Sequence, residues 1–275
     1  IFVISVTSVT SLTSVTSGIF VISGTSGISV TSLTWEEVLA GQPPNQIDVI
    51  EAKKVNFLVP LENPGKIVAI GLNYMDHCQE TNSEPPKKPL VFCKFSTSMI
   101  GPGEKISWST SLTKEVDYEV ELAVVMGRIA REVSRQEALQ CVFGYTVAND
   151  VSARDIQFSD GQWVRGKSLD TFCPLGPSIV TADEIPSPQN LTIRSFLNGQ
   201  TMQDSNTENM IFPVDQLISF CSQTFTLEPG DLILTGTPHG VGVGRDPQVF
   251  MKDGDQIIAE VESIGRLENT CQTRE

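Results

Sequence analysis

The segment Glu115-Val116-Asp117-Tyr118-Glu119-Val120-Glu121-Leu122 is where this chain is best equipped for chemistry. Side chains alternate across a strand, so the four acids share one face and Val116, Tyr118, Val120 and Leu122 share the other. Neighbouring carboxylates on one face lie roughly 7 Å apart and repel each other. A solvated edge strand would let water screen them. However, the segment runs directly into Ala123-Val124-Val125-Met126, an interior sequence, and acids carried inside need a cation. Oxygen donors without nearby His or Cys suit Mg²⁺, Mn²⁺ or Ca²⁺, and not zinc. Asp150 supplies a third acid. It closes the strand-like run Tyr145–Asn149, where the chain turns toward a helix and a side chain can reach a site lined by a neighbouring strand. Glu119, Glu121 and Asp150 are therefore the candidate metal ligands. Arg154 lies one helical turn beyond Asp150, and Gln157 continues the same face. The plain alternative for Arg154 is an ion pair with Asp150.

Two histidines occur in the chain, His77 and His239. His77 and Glu80 share a face if their segment is helical. A carboxylate beside an imidazole orients it and raises its basicity, which suits a general base; a helix-cap histidine is the alternative. Gly236-Thr237-Pro238-His239-Gly240 follows an apolar strand. Its glycines permit close backbone approach, and the Thr237 hydroxyl suits a substrate carboxylate. The Gly-Val-Gly-Val-Gly run at 240–244 lacks the spacing of a dinucleotide-binding loop.

The elements that must position these groups are mostly strands. Lys66–Leu72, Leu90–Phe95, Val116–Met126 and Tyr145–Ala148 read as strands, the third as one long strand. Ser134 with Glu137 forms a capping box opening a helix expected to stop at Gly144. Pro213 to Cys221 reads as a helix with Val214, Leu217, Ile218 and Cys221 on one face. Pro229-Gly230-Asp231 and Asp253-Gly254-Asp255 are turns feeding strands. Thr34 to Gly41 reads as a short capped helix, and 42–65 as a Pro-rich connector with short strands. The fold class is α+β and β-dominated, with an N-terminal segment over 1–64 and a catalytic domain over 65–270.

Residues 1–34 use only Ile, Phe, Val, Ser, Thr, Leu and Gly, and the run IFVIS stands at 1–5 and again at 19–23. The pattern reads as placeholder sequence, not as a natural β-rich repeat, and predicts strands whose side chains do not match their burial. It carries no function.

The chain has 275 residues and a formal net charge of −14, from 33 acidic and 19 basic residues. That balance repels phosphate backbones and anionic lipid, so neither nucleic acid nor membrane is an expected partner. An anionic substrate then needs a local cation. The six cysteines are scattered without a C-x-x-C pair and read as isolated buried thiols of a reducing compartment.

Five ordered motifs carry a resemblance: Asn73-Tyr74-Met75-Asp76-His77, Asp117 to Leu122, Asn149 to Asp155, Gly166-Lys167-Ser168, and Leu234 to Gly242. Together they resemble the fumarylacetoacetate hydrolase superfamily over about residues 55–265. The resemblance implies a mixed β-sandwich roll with a few short helices, a homodimer, and one Mg²⁺ on Glu119, Glu121 and Asp150. It implies His77 and Glu80 as a water-activating dyad, Lys167 beside a developing enolate oxygen, and Arg154 and Gln157, with Gly236 and Thr237, on the substrate. A small 2-oxo acid is the implied substrate, and a mitochondrial location follows by resemblance, a cytoplasmic one otherwise. The wording Asp170 to Pro177 inclines the expectation to oxaloacetate keto–enol tautomerisation. Acylpyruvate C–C hydrolysis and oxaloacetate decarboxylation are the alternatives, and a catalytically inactive metal-binding member the non-enzyme one. Leu169 stands where many relatives have Phe, a departure that bears on the pocket's shape.

Overall fold

The computed structural model describes residues 58–275 throughout; before them it describes only the backbone of β1 (Phe2–Val9), β2 (Gly18–Ile22), β3 (Ile28–Val30), β4 (Asp48–Ile50) and β5 (Val55–Leu58). The expected helix at 34–41, and the side chains of 1–34 on which the placeholder reading turns, lie outside the described residues. The chain continues with β6 (Ile67–Gly71), α1 (Met75–Glu80), β7 (Leu90–Lys94), β8 (Met99–Ile100), β9 (Lys105–Ser109), β10 (Val116–Asp117) and β11 (Val120–Met126). Next come α2 (Arg135–Ala138), β12 (Val142–Asn149), β13 (Ser152–Ala153), α3 (Arg154–Asp160), α4 (Val164–Lys167) and β14 (Cys173–Thr181). The last elements are β15 (Thr192–Leu197), β16 (Gln200–Asn206), α5 (Val214–Ser222), β17 (Leu232–Leu234), β18 (Gln256–Val261) and β19 (Gly265–Arg274).

One large mixed sheet runs β2-β1-β14-β12-β11-β17-β6-β7, and a second runs β16-β15-β18-β19-β9. β11 sits in the middle of the large sheet and is buried along its whole length. Its Val120, Leu122, Val124 and Met126 enter a core shared with Ile193, Ala259, Val261 and Leu267 of the second sheet and with the apolar face of α5. Its Ala123 and Val125 enter a second core with Ala148, Leu175 and Leu234. A strand covered on both faces reads as a continuous apolar run, which is why Leu122 to Met126 shows no alternation in polarity.

The expected single strand 116–126 is broken at Tyr118–Glu119. β11 pairs antiparallel with β12, whereas β10 pairs with β13. Both chains thus leave the large sheet together at Glu119 and Asp150, and such an irregularity re-aims side chains. The capping box at Ser134 and Glu137 is present, but the helix it opens ends before Gly144, and β12 already begins at Val142. Gly144 marks a close strand approach: a Cβ there would lie 2.3 Å from the Val180 carbonyl oxygen of β14. The helix expected from Pro213 is α5, with Val214, Leu217, Ile218 and Cys221 buried. All six cysteines are free; Cys93 is exposed and the other five are buried. Burial pushes Cys173, Cys221 and Cys271 up to about 12, which keeps those thiols protonated and inert.

Candidate metal centre and substrate cavity

The site forms where β11 and β12 part from the large sheet. The Asp150 amide donates to the Glu119 carbonyl at 2.9 Å, and the Asn149 side chain accepts from the Glu119 amide at 2.9 Å. These bonds fix both residues at the break. Carboxylate oxygens of Glu119, Glu121 and Asp150 lie within 4.8 Å of one another, and all three residues are buried. Lys167 Nζ donates to Glu119 Oε2 and to Asp150 Oδ2, both at 2.8 Å. Arg154 lies 2.7 Å from Glu119 and 2.8 Å from Asp117. It therefore pairs with Asp117 and Glu119 and not with Asp150. Its Nη1 also donates to Gln157 at 3.0 Å.

Burial alone would raise the Glu119 carboxyl; Lys167 and Arg154 beside it prevail and hold it below its ordinary value. Glu121 goes the other way. Burial, then the facing carboxylates of Asp150 and Glu119, push it well above the usual range. Burial alone would lower the Lys167 ammonium, but Asp150 and Glu119 reverse this and keep it charged. At this site four buried acids, Asp117, Glu119, Glu121 and Asp150, face three buried cations, Lys94, Arg154 and Lys167. Among the described residues Glu121 makes no ion pair, and its Oε2 accepts the Gly236 amide at 2.7 Å. A cluster of hard oxygen donors, one of them raised by burial and by its neighbouring carboxylates, fits a divalent cation. Such an ion would turn the local balance from negative to positive, as an anionic substrate requires.

A cavity of about 270 Å³ opens beside this cluster and reaches it through Glu119, the one acid of the three on its wall. Glu119, Arg154, Gln157, Lys167, Thr237 and His77 supply its polar wall, and Leu72, Phe92, Phe158, Trp163 and Val243 much of its apolar wall. His77 is buried on α1, and its Nδ1 lies 3.2 Å from Glu80 Oε2. Glu80 is itself held by the Gly240 amide at 2.9 Å. The Thr237 hydroxyl donates to the Val120 carbonyl at 2.9 Å and accepts from Gln203 at 2.7 Å. It is thus anchored to β11, and Gly236 orients Glu121. His239 stands apart from the cavity wall, paired with Asp76 at 2.9 Å. Leu169 lies off the cavity as well: it packs against the core of Ile156 and Phe172 and faces an outer groove with Phe95 and Leu112. The departure at this position therefore leaves the cavity's shape alone.

Two charged residues of the site lacked a role in the sequence reading. Asp117 was visible among the acids but is the seat of Arg154. Lys94 ends an apolar strand, and its Nζ lies 2.6 Å from Asp150 Oδ1. A lone lysine closing Leu-Val-Phe-Cys was the available signal. The apolar wall has its own constraint at Gly71, where a Cβ would lie 2.3 Å from the Trp163 ring. Trp163 in turn meets Phe92 edge-on at 5.4 Å. Gly71→Ala is expected to force Trp163 out of this seat, lowering stability by about 1–3 kcal/mol and raising KM. Urea unfolding and steady-state kinetics check both; unchanged values would show that the wall yields freely.

The doubly covered sheet, the buried acid cluster and the cavity above it define the class. The fumarylacetoacetate (FAA) hydrolase C-terminal family model matches residues 66–272. The chain belongs to the fumarylacetoacetate hydrolase family and is an enzyme of the tautomerase, isomerase or hydrolase kind, with that family's mixed β-roll fold. The rat protein named oxaloacetate tautomerase Fahd2a, mitochondrial, is 48% identical over 225 residues, covering 82% of this chain and 72% of that protein. Its human counterpart, oxaloacetate tautomerase FAHD2A, mitochondrial, is 46% identical over 226 residues with the same two coverages. Among solved structures, the 2-hydroxyhepta-2,4-diene-1,7-dioate isomerase of Mycobacterium marinum superposes with a TM-score of 0.84 at 34% identity, covering 99% of this chain and 98% of that one. The fumarylacetoacetate hydrolase of Exiguobacterium antarcticum gives 0.83 at 33% identity, with 99% of each chain covered. No helix among the described residues is long and apolar enough to cross a membrane.

Proposed function

We propose that the protein is a Mg²⁺-dependent oxaloacetate keto–enol tautomerase, mitochondrial and homodimeric, whose catalytic domain is residues 65–270. The observation that carries this reading is the buried Glu119, Glu121 and Asp150 cluster opening on a small cavity beside a charged Lys167. Similarity to relatives named oxaloacetate tautomerases, mitochondrial, supports the substrate and the compartment.

Bound to the three carboxylates, Mg²⁺ supplies Lewis acidity and the local positive charge that a 2-oxo acid needs. Lys167 steadies negative charge growing on the substrate's keto oxygen. Arg154 and Gln157, joined to each other, present donors to a substrate carboxylate. The reaction moves one proton from the enol oxygen to C3. His77, held by Glu80, is the group on the cavity wall suited to carry it. The apolar wall of Leu72, Phe92, Phe158 and Trp163 favours a second reading, cleavage of an acylpyruvate by a water that His77 activates.

The test follows enol-oxaloacetate absorbance with and without Mg²⁺, for the intact enzyme and Glu119→Ala, with pyruvate detection alongside. Fast Mg²⁺-dependent decay without pyruvate, abolished by the substitution, is the expected result. Pyruvate at the same rate would mean decarboxylation. Absence of any Mg²⁺-dependent effect would sink the tautomerase reading and turn the assay to acylpyruvates.

A further inference from the structure

β7 inverts the usual order of a strand at a sheet edge. Its Leu90, Val91 and Cys93 are exposed to solvent, whereas the Lys94 side chain is completely buried. Taking an ammonium out of water costs several kcal/mol, and the group must find partners that offset this. Lys94 has three. Its Nζ donates to Asp150 Oδ1 at 2.6 Å, to the Val151 carbonyl at 3.3 Å, and to the backbone carbonyl of Lys167. None of the cavity-lining atoms belongs to it. Asp150 is thereby held by two lysines on separate oxygens, Lys94 on Oδ1 and Lys167 on Oδ2. The third bond grips the backbone from which the Lys167 side chain departs. A second tie lies next to it, where the Phe95 amide donates to Ser168 Oγ at 3.2 Å.

We infer that Lys94 is a positioning residue that sets two working parts of the site at once. It fixes the rotation of the Asp150 carboxylate, so that Oδ2 faces Glu119 and Glu121, and it fixes the end of α4, so that Lys167 Nζ reaches the same cluster. It acts from behind the acids and touches no substrate. This rests on the reading of Glu119, Glu121 and Asp150 as a metal site. A simpler role is neutralisation of buried negative charge. The two roles differ in sign. If Lys94 only neutralises, its removal leaves the cluster more negative, and a dication binds more tightly. If it positions, removal lets Asp150 turn and weakens binding, as loss of a partner behind a metal ligand does elsewhere.

The experiment is a Mn²⁺ titration of the full chain followed by electron paramagnetic resonance of the free ion, comparing the unsubstituted protein with Lys94→Met. Methionine keeps the length and apolar bulk of the stem without the charge. Near-ultraviolet circular dichroism reports whether the variant folds. The expected result is a Kd for Mn²⁺ raised by about tenfold or more, with kcat lowered. Tighter or unchanged binding in the folded variant overturns the inference. Lys94→Gln, which keeps one donor in the pocket, is titrated in the same way if the Met variant does not fold. Failure of both to fold would mean that Lys94 holds the fold and not the site, which also overturns it. Absence of Mn²⁺ binding by the unsubstituted protein would instead refute the metal reading itself.

Discussion

Lys167→Met lowers kcat by about 10²–10³-fold, the loss typical of removing one preorganised donor from a developing oxyanion. Mn²⁺ binding is expected to survive at equal or greater strength. The side chain is buried and donates at 2.8 Å to both Glu119 and Asp150. Its loss therefore leaves those carboxylates fully available to a cation while taking a positive charge away from the substrate. Methionine fills nearly the same volume, and the Phe92 ring 5.4 Å from Nζ offers it an apolar neighbour. Steady-state kinetics on enol-oxaloacetate, with Mn²⁺ affinity measured on the same preparation, separates the two effects. A variant with normal kcat would remove Lys167 from the mechanism. One that lost metal and rate together would make it a support of the acids alone.

Asp117→Ala is expected to destabilise the protein by about 3–5 kcal/mol, the range for breaking a buried pair on one side. Asp117 is completely buried. Its Oδ1 accepts the amides of Tyr118 at 2.9 Å and Gly242 at 2.7 Å, and its Oδ2 accepts the Val243 amide at 3.0 Å and Arg154 Nε at 2.8 Å. Removal leaves the buried amides of Tyr118 and Gly242, the half-buried amide of Val243 and part of a guanidinium without this partner, and the buried ones carry the larger desolvation penalty. Activity should fall as well, because Arg154 would then keep Glu119 as its one acidic partner at the site. Urea unfolding monitored by tryptophan fluorescence is the measurement; a loss below about 1 kcal/mol would mean that water reaches the site and replaces the carboxylate. The exposed pair Asp160 and Arg165 is the natural contrast, since solvent screens it and its removal should barely register.

Much of this site was legible in the sequence because its chemistry is unusual locally. Four acids on one face, flowing into Leu122 to Met126, demand a cation wherever the strand is buried. Asp150 announces itself by ending a strand, and His77 and Glu80 by their spacing. What stayed hidden depends on where the ladders cross. Nothing in the alternation of residues 115–122 separates Asp117, which takes Arg154, from Glu119, which stays with the cluster. The difference arises at the break between β10 and β11, set by their pairing with β13 and β12. Lys94 stood out at the end of an apolar strand, but its role stayed hidden, since its partners are 56, 57 and 73 residues away. The expected helix stop at Gly144 went astray for a similar reason: that glycine answers to Val180 of β14, a neighbour that local sequence does not contain.

The central strand also couples folding to chemistry. Along β11, Glu121 alternates with Val120 and Leu122, so at this end of the strand one face serves the acid cluster and the other an apolar core. A slip of a single residue against β12 would exchange the two sets, driving carboxylates into oil and valine into the cluster. Such a one-residue shift would lose the core packing and the acid cluster together. In this register one set of hydrogen-bond partners both seats the core and gathers the acids, so the same pairing that stabilises the strand also screens its chemistry.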